Sequence, residues 1–308
     1  MNAFRVVRPG FFTTVQDAGR RGATRWGVPA SGFADPFSAA AANWLAGNPA
    51  GAALLEAALG SIELEAQRAV GVGVAGASAE VSVNGVAADR TRTIALRAGD
   101  RLVVGPAREG LRVYVAVSGG VGVPPVLGSR STLAASAFDG LAARKLAAGD
   151  LLPGGDAAAP PGRVLPVAGA LSFATGEVRA MPGPQRDLFP ESSRRRFFGQ
   201  PFRVSPRSDR RGLRLEGEAV APTEGEIPPE GVVVGSVQVP AGGGPIVLMP
   251  DGPVTGGYPK IAVVVAADLR VLGQLRPGDM VSFREISRDE AVAAFAGQRA
   301  AREGAWPA

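Results

Sequence analysis

The chain has 308 residues, 46% hydrophobic and 20% charged, which is the composition of a globular protein and not of a disordered one. It contains no cysteine and no histidine, so disulfides, thiolate or imidazole metal sites and a Ser-His-Asp triad are excluded, and proton transfer is left to carboxylates, lysine, tyrosine or water. The net charge of +5 comes almost entirely from arginine, and acidic and basic residues are interspersed along most of the chain, which argues against a nucleic-acid partner.

No stretch of the sequence predicts a secretion signal or a membrane span. The first residues, MNAFRVVRPGFF, lack an apolar core, and the longest strongly apolar runs, such as residues 261–267, are far shorter than a bilayer-spanning helix. We therefore expect a soluble, cytoplasmic protein without a membrane partner.

The polar loop, residues 16–35 (QDAGRRGATRWGVPASGFAD), is the first candidate functional segment. It is too rich in glycine for a helix, and loops of this length inside compact domains are usually functional. Gln16, Arg20, Ser31 and Asp35 supply hydrogen-bond donors and acceptors along it, so we interpret the segment as a loop that folds over a small ligand.

A helix is predicted directly after the polar loop. Asp35 has the side chain of an N-cap, Pro36 suits the first helical position, and Gly47 is placed to end the helix. Asn43 lies within this helix, and Asp35 is fixed at its start.

Strand-like alternation dominates most of the remaining chain. The predicted strands begin at Ser61, Glu80, Thr93, Leu111, Glu230 and Gly244. A second helix is predicted for residues 288–303.

A Gly-Asp turn pattern recurs at Gly99, Gly149 and Gly278, each time between candidate strands, which favours related β-barrel units. Residues 153–163 are rich in proline, glycine and alanine without periodicity, as is typical of a linker. We therefore expect two domains, residues 1–155 and 163–308.

Residues 71–76, GVGVAG, have the spacing of a dinucleotide-binding fingerprint. That fingerprint requires a helix after the glycines, whereas the residues that follow alternate as a strand and end in an Asn-Gly turn. A Walker-type GxxxxGK[ST] loop is absent from the sequence. We expect any ATP to be bound by another protein.

Arginines and phenylalanines alternate in residues 194–215 (RRRFFGQPFRVSPRSDRRGLRL), a pattern also found in proteins that bind single-stranded nucleic acid. Because FRVS alternates as a strand, we expect the phenylalanines in the core and the arginines on a surface that faces solvent or a partner. Asp209 and Arg210 are the exception, since they lie in a polar turn where they either pair or point into a pocket.

Residues 251–269, DGPVTGGYPKIAVVVAADL, are the most site-like part of the second half. Lys260 directly precedes a buried apolar strand. Because the chain has one other lysine, Lys145, and otherwise uses arginine, a lysine here indicates a compact charge or a titratable amine. The neighbouring residues that offer hydroxyls or close backbone approach are Thr255, Gly256, Gly257 and Tyr258.

Seven blocks of the sequence resemble a known protein family, and they are long enough to make the resemblance specific. They are residues 9–22, 27–48, 54–60, 118–132, 208–217, 235–264 and 272–283. Together they resemble the allophanate hydrolase subunit 2 family, also called the biotin-dependent carboxyltransferase family or the family of the 5-oxoprolinase C subunit. The resemblance covers nearly the whole chain in the expected order.

The resemblance implies a fold and a partner. We expect a mainly β protein with a few helices, built from two cyclophilin-like β-barrel domains. The expected partner is a KipI-like protein, also called allophanate hydrolase subunit 1 or the 5-oxoprolinase B subunit, together with a third component of the complex.

The resemblance also implies three functions. We expect a subunit of an ATP-dependent 5-oxoprolinase, with ATP handled by the complex and no metal in this chain. The first alternative is a biotin-dependent carboxyltransferase subunit that acts on urea-type amides; the sequence has no biotin-carrier motif, so another protein would carry the biotin. The second is a non-catalytic, KipA-like regulator that binds a kinase inhibitor.

Urea and 5-oxoproline are both planar amides, so either enzyme needs donors at the amide oxygen and an acceptor at the N–H. The catalytic candidates are Lys260 and Arg210 at the oxygen and Asp35 as acceptor. The expected substrate contacts are Gln16, Arg20, Ser31, Asn43, Asp209, Gln238, Thr255 and Tyr258. This assignment requires the polar loop and the turn that carries Lys260 to meet around one hollow.

Overall fold

The structure, a computed structural model, describes residues 1–134, 136–155, 162–165 and 176–305. These residues form two compact units, one of residues 1–21, 31–165 and 303–305 and the other of Gly22–Ala30 and residues 176–302. The middle of the predicted linker, residues 156–161, lies outside the described residues. The domain boundary there stays a prediction.

Strands dominate the first unit, as predicted. In the described part they are β1 (Asn2–Arg8), β2 (Phe12–Gln16), β3 (Leu54–Ala58), β4 (Gly60–Ala66), β5 (Val70–Ser78), β6 (Val81–Val83), β7 (Val86–Ala87), β8 (Ile94–Leu96), β9 (Arg101–Pro106), β10 (Glu109–Val117) and β11 (Leu151–Pro153). They pair in two sheets of order β11-β1-β4-β9-β6-β7 and β2-β3-β10-β5-β8. Their inward-facing residues share one apolar core, to which Phe4 and Leu102 of the first sheet and Val72 and Val115 of the second belong.

The predicted helix after the polar loop is confirmed as α1 (Pro36–Leu45), with Asp35 as its N-cap. Its alanine-rich body packs on the second sheet. A Cβ on Gly73 of β5 would lie 2.1 Å from the carbonyl oxygen of Ala42, so only glycine admits the helix at this distance. This packing, and not a nucleotide, explains that glycine of the GVGVAG segment, which lies within the continuous strand β5. The strand predicted after it, from Glu80, is confirmed by β6.

Strands also dominate the second unit. In its described part they are β12 (Glu177–Pro182), β13 (Phe202–Val204), β14 (Gly212–Glu216), β15 (Glu230–Gly231), β16 (Ser236–Gln238), β17 (Ile246–Leu248), β18 (Thr255–Gly256), β19 (Lys260–Val264) and β20 (Met280–Glu285). A closed barrel has the order β12-β19-β16-β17-β14-β13-β20, and β15 and β18 form a separate two-stranded ribbon. The prediction of a mainly β protein with barrel architecture is confirmed by this unit.

The helices of the second unit are α2 (Glu191–Gly199), α3 (Leu269–Leu272) and α4 (Arg288–Ala305). Short 3-10 turns occupy Ala23–Trp26, Gly140–Ala142, Arg186–Leu188 and Ala266–Asp268. The helix predicted from Arg288 is confirmed by α4. In the described ranges, no helix combines the length and the apolar character that crossing a bilayer requires.

The alternating arginines and phenylalanines divide between surface and core, as expected. Phe197 of α2 stacks on Phe283 of β20 with ring centroids 4.5 Å apart, and both are buried. Arg195 and Arg196 lie outside and form ion pairs with neighbouring glutamates. The helix itself was not predicted, because its core-facing residues are too few to give a helical period.

The three Gly-Asp turns are confirmed, and their aspartates explain the recurrence. Gly99, Gly149 and Gly278 have φ angles of 87°, 90° and 94°, in the left-handed region that favours glycine. In each turn the following aspartate accepts a hydrogen bond from the backbone N–H three residues before it. The carboxylate thus closes the turn between two strands.

Candidate functional site

Asp17 fastens the start of the polar loop to residues 129–131, more than a hundred residues further along the chain. Its Oδ1 accepts hydrogen bonds from Gly19 N at 2.8 Å, Ser129 Oγ at 2.6 Å and Ser131 Oγ at 2.7 Å. Its Oδ2 accepts from Arg130 N at 2.6 Å. The loop is therefore ordered by one carboxylate with four donors.

These donors also set the charge state of Asp17. Partial burial by itself raises the pKa of this carboxyl, but the hydrogen bonds from Ser129, Arg130, Ser131 and Gly19 outweigh it and hold the pKa below the ordinary value of 3.8. Because the folded pKa lies below the unfolded one, the bonds stabilise the fold fully above about pH 3.8, and that stabilisation is lost as the pH falls through the folded pKa.

Gln16 and Arg20 are both buried and bound to the same distant segment. Gln16 Nε2 donates to the carbonyl oxygen of Thr132 at 3.1 Å, and its Oε1 accepts from Gly32 N at 3.2 Å. Arg20 donates to the carbonyl oxygen of Ser131, and its guanidinium lies 5.0 Å from the centre of the Phe138 ring. Gln16 therefore joins the two ends of the loop, and Arg20 fixes its first part to the distant segment.

Asp35 has the contacts of a helix cap. Its Oδ1 accepts from Phe37 N at 3.1 Å and from Ser38 N at 3.0 Å, and its Oδ2 accepts from the Ser38 hydroxyl. Its own N–H donates to the Tyr114 hydroxyl at 2.8 Å, and that hydroxyl donates to Glu56 Oε2 at 2.9 Å. The end of the polar loop is thus anchored in the second sheet of the first unit.

Tyr114 remains protonated in this network. Burial, followed by the nearby carboxylates of Glu56 and Asp35, raises the pKa of Tyr114 well above its ordinary value. Glu56 is in turn paired with Arg112, 3.2 Å away, and both of these side chains are buried. The neutral hydroxyl accepts from the loop at Asp35 N and donates to Glu56 in the second sheet, so it links the two.

Ser31 and Asn43 differ in how their polar atoms are used. Asn43 Nδ2 donates to the carbonyl oxygens of Ala50 and Ala52, and its Oδ1 accepts from Asn48, so it fixes the chain after α1. Ser31 is buried at a φ of 54°, and its hydroxyl has no hydrogen-bond partner within the described residues. Strained backbone with an unused polar atom is typical of ligand sites.

In the second unit, Arg210 forms a buried pair with Asp251. Its Nε and Nη2 lie 2.9 and 3.0 Å from the two carboxylate oxygens, and the side chains are 7% and 6% exposed. Asp209 is exposed and closes the turn through its bonds to Arg211 N and Gly212 N. Asp251 was not predicted from the sequence as the partner of Arg210. A pairing of Asp209 with Arg210 stays a prediction.

Lys260 begins β19 and is buried at its ammonium group. Its Nζ lies 2.7 Å from Glu230 Oε1 and has no other hydrogen-bond partner among the described residues. Gln185 joins the pair, since its Nε2 donates to the same Glu230 oxygen at 3.0 Å and its Oε1 accepts from Lys260 N at 3.2 Å. The hydrogen bonds from Lys260 and then Gln185 hold the pKa of Glu230 below its ordinary value, so Glu230 is an anion.

Gln238 lies beside Lys260. The two residues are opposite each other in the antiparallel pair of β16 and β19, so their side chains lie on the same face of the barrel wall. Gln238 is buried, and its Nε2 has no acceptor in the described part of the chain. A Cβ on Gly256 would lie 2.2 Å from this nitrogen, and Gly256 pairs with Glu230 in the ribbon.

The predicted site residues therefore fall into two groups. The first unit contains Gln16, Arg20, Ser31, Asp35 and Asn43. The second unit contains Asp209, Arg210, Gln238, Thr255, Tyr258 and Lys260. Gly22–Ala30, the middle of the polar loop, belongs to the same unit as Lys260. The structure brings Gln238 and Lys260 together, whereas Thr255 and Tyr258 are exposed nearby. That the two groups share one hollow stays a prediction.

Sequence reasoning missed four residues with roles at these places: Asp17, Tyr114, Gln185 and Glu230. Asp17 was part of the polar loop but its partners are far away in sequence, and Tyr114 reads as one more residue of a strand. The signal for Glu230 was available, since a buried lysine requires a carboxylate. No group of three or more acidic side chains in the described residues is arranged to hold a metal ion.

A family model described as "Carboxyltransferase domain, subdomain A and B" matches residues 26–285. The chain belongs to this family. It is 37% identical over 292 residues to the C subunit of 5-oxoprolinase from Escherichia coli (strain K12), covering 94% of this chain and 93% of that one. The family resemblance inferred from the seven sequence blocks is confirmed.

Two solved structures are similar over most of the chain. The protein titled TTHA0988 is 37% identical, with a TM-score of 0.82 over 92% of this chain. The K. lactis urea amidolyase is 30% identical, with a TM-score of 0.91 over 98% of this chain. This chain spans 55% of the first protein's length and 20% of the second's, so each carries further polypeptide.

Asp17→Asn is expected to lower the free energy of unfolding by about 1–3 kcal/mol at neutral pH, because an amide cannot accept from all four donors. The difference from the wild type should shrink as the pH falls from about 3.8, the ordinary value that applies to the unfolded chain, through the lower folded pKa of Asp17. Urea unfolding at a series of pH values measures it. Asp139→Asn, an exposed site that makes no cap hydrogen bond, is the control. A cost that does not depend on pH would contradict the charge argument.

Asp35→Ala should cost about 0.5–2 kcal/mol of stability, whereas Asp35→Asn should retain most of the wild-type stability, because asparagine caps helices about as well as aspartate. Thermal and urea unfolding of both variants provide the comparison. If asparagine were as damaging as alanine, Asp35 would stabilise the protein through its charge and not as a cap.

Proposed function

We propose that this chain is a subunit of an ATP-dependent 5-oxoprolinase that opens a lactam amide and acts with a KipI-like partner subunit. The observation that carries the proposal is the similarity to the 5-oxoprolinase C subunit of Escherichia coli, which extends over 94% of this chain and 93% of that one. The sequence has no Walker-type loop, so we assign ATP binding to another part of the complex.

Lys260 and Gln238 are the residues we propose to contact the substrate. A fixed cation and an N–H donor bind a negatively charged oxygen more strongly in a buried site than in water. Lys260 Nζ and Gln238 Nε2 are such donors, buried side by side on neighbouring strands. Arg210 is already neutralised by Asp251, so we assign it the role of supporting its turn.

In the first unit, we propose that Ser31 contacts a ligand, because its hydroxyl is buried and unused in the described structure and its backbone is strained. The contacts of Gln16, Arg20, Asp35 and Asn43 are those of residues that position the polar loop. In this proposal they act on the substrate through the loop and not by touching it.

The lengths of the relatives support the proposal of a partner. This chain spans 55% of the protein titled TTHA0988 and 20% of the K. lactis urea amidolyase, so similar modules operate next to further protein. We propose that a separate KipI-like chain, and a third component that handles ATP, supply that further protein here.

A biotin-dependent carboxyltransferase subunit is the second candidate function. It is favoured by the name of the matching family and by the TM-score of 0.91 with the K. lactis urea amidolyase. In that case the carboxyl group would reach the site on biotin carried by another protein.

The chain purified with its co-expressed KipI-like partner and third component should consume 5-oxoproline only when ATP is present, and omission of this chain should abolish the consumption. Chromatographic assay of 5-oxoproline with parallel assay of ADP provides the measurement. Turnover of carboxybiotin and urea without loss of 5-oxoproline would replace the first function by the second. If the chain binds its partner but neither activity is detected, the result would support the third function, that of a non-catalytic regulator.

Lys260→Met should reduce the turnover of the complex by at least about a hundredfold, because it removes the charged donor that binds the substrate. Folding and partner binding should be retained, since methionine fills a similar volume. Lys145→Met is the matched control: Lys145 is exposed, and its Nζ donates only to the Phe11 carbonyl among the contacts seen. Equal turnover of the Lys260→Met complex and the wild type would remove Lys260 from the mechanism.

A further inference from the structure

The ion pair of Lys260 and Glu230 has one buried and one exposed partner, unlike the two fully buried ion pairs in the described residues. The Lys260 side chain is 3% exposed, whereas that of Glu230 is 43% exposed. In the pairs Arg210–Asp251 and Arg112–Glu56 both partners are buried. Burying an ammonium group costs several kcal/mol unless an anion compensates it, but an exposed carboxylate has lost little hydration. Lys260 therefore requires an anion, while Glu230 does not require the lysine.

The lysine is also held more firmly than its counterion. Its backbone N–H donates to Gln185, and Gly183 packs so closely that a Cβ there would lie 2.0 Å from the Lys260 carbonyl oxygen. Glu230 lies in a two-residue strand whose ladder partners are Gly256 and Thr255. An element this short is inexpensive to displace. Movement of Glu230 away from Lys260 is thus easier than withdrawal of Lys260.

A second donor next to this pair has no acceptor. Gln238 Nε2 is buried and unpartnered in the described residues, and it lies against Gly256, the residue that pairs with Glu230. Buried donors in native structures nearly always have an acceptor, so an unused one next to an ammonium group indicates a missing ligand atom. A carboxylate carries two acceptor oxygens, which is what one ammonium and one amide N–H require.

We propose that Lys260 and Gln238 form a binding site for the carboxylate of a small molecule, and that Glu230 is a resident substitute for that carboxylate, displaced when the ligand binds. The inference deepens the proposed function and rests on it for the identity of the substrate, whose carboxylate would be the displacing group. The ligand class itself rests on burial, register and the unused donor. Gln185, bonded to both Glu230 and Lys260, returns Glu230 to the lysine when the ligand leaves.

The chain offers a direct probe, because Lys145 and Lys260 are its only lysines. Lysine-selective 13C labelling of the full chain therefore gives two side-chain signals in an NMR spectrum, and Lys145→Arg identifies which is Lys260. The titrants are 5-oxoproline, acetate and 2-pyrrolidinone, which is the same lactam ring without the carboxylate. The variants are Glu230→Gln and the control Glu226→Gln, an exposed glutamate on the same segment.

We expect 5-oxoproline and acetate each to shift the Lys260 signal in a saturable way. The Lys145 signal should not move. Addition of 2-pyrrolidinone should shift neither signal. Glu230→Gln should lower the dissociation constant for the carboxylates about tenfold. This is the change expected if the Glu230 carboxylate occupies the site about nine-tenths of the time in the wild type and the substitution removes that competitor. Glu226→Gln should leave the constant unchanged.

Two results would overturn the inference. The first is that neither 5-oxoproline nor acetate shifts the Lys260 signal of the wild-type chain. This test does not depend on the folding of any variant. The other is equal or weaker carboxylate binding by Glu230→Gln, which would make Glu230 a structural partner of the lysine. A response to acetate without a response to 5-oxoproline would support the carboxylate site and contradict the proposed substrate, so the two proposals fail separately.

Discussion

A buried ammonium group must have an anion beside it, and this requirement organises the second unit around Lys260. The barrel wall fixes the lysine at the start of β19, with its Nζ almost fully removed from solvent. The short ribbon of β15 and β18 supplies Glu230, and Gln185 bonds to both members of the pair. In a chain that uses arginine almost everywhere else, the choice of lysine fits a site that needs a compact charge.

The other buried charges serve the fold. Arg112 and Glu56 form a pair in the second sheet of the first unit, and through Tyr114 they fix the backbone of Asp35 at the start of α1. Asp17 gathers donors from residues 129–131 in the same way. Each of these groups is satisfied within the protein, whereas the neighbourhood of Lys260 contains a donor that is not. This difference separates structural charge from charge available to a ligand.

Local signals in the sequence were sufficient for the parts of the fold that depend on neighbours along the chain. The cap at Asp35, the Gly-Asp turns, the strand that follows Glu80 and the helix from Arg288 are all set within a few residues, and they were predicted correctly. The position of Gln238 beside Lys260 depends on the pairing of β16 with β19, and the role of Asp17 depends on a segment over a hundred residues away. Such contacts are set by tertiary packing, which one sequence does not encode in its local pattern.

The central claim is that the lysine at the start of β19 exchanges its internal carboxylate for that of a ligand. A crystal structure of the chain soaked with 5-oxoproline tests this most directly. The account predicts a ligand carboxylate oxygen about 3 Å from Lys260 Nζ, a second one within hydrogen-bond distance of Gln238 Nε2, and the Glu230 side chain turned toward solvent. A ligand bound elsewhere, with the Lys260–Glu230 contact intact, would contradict it.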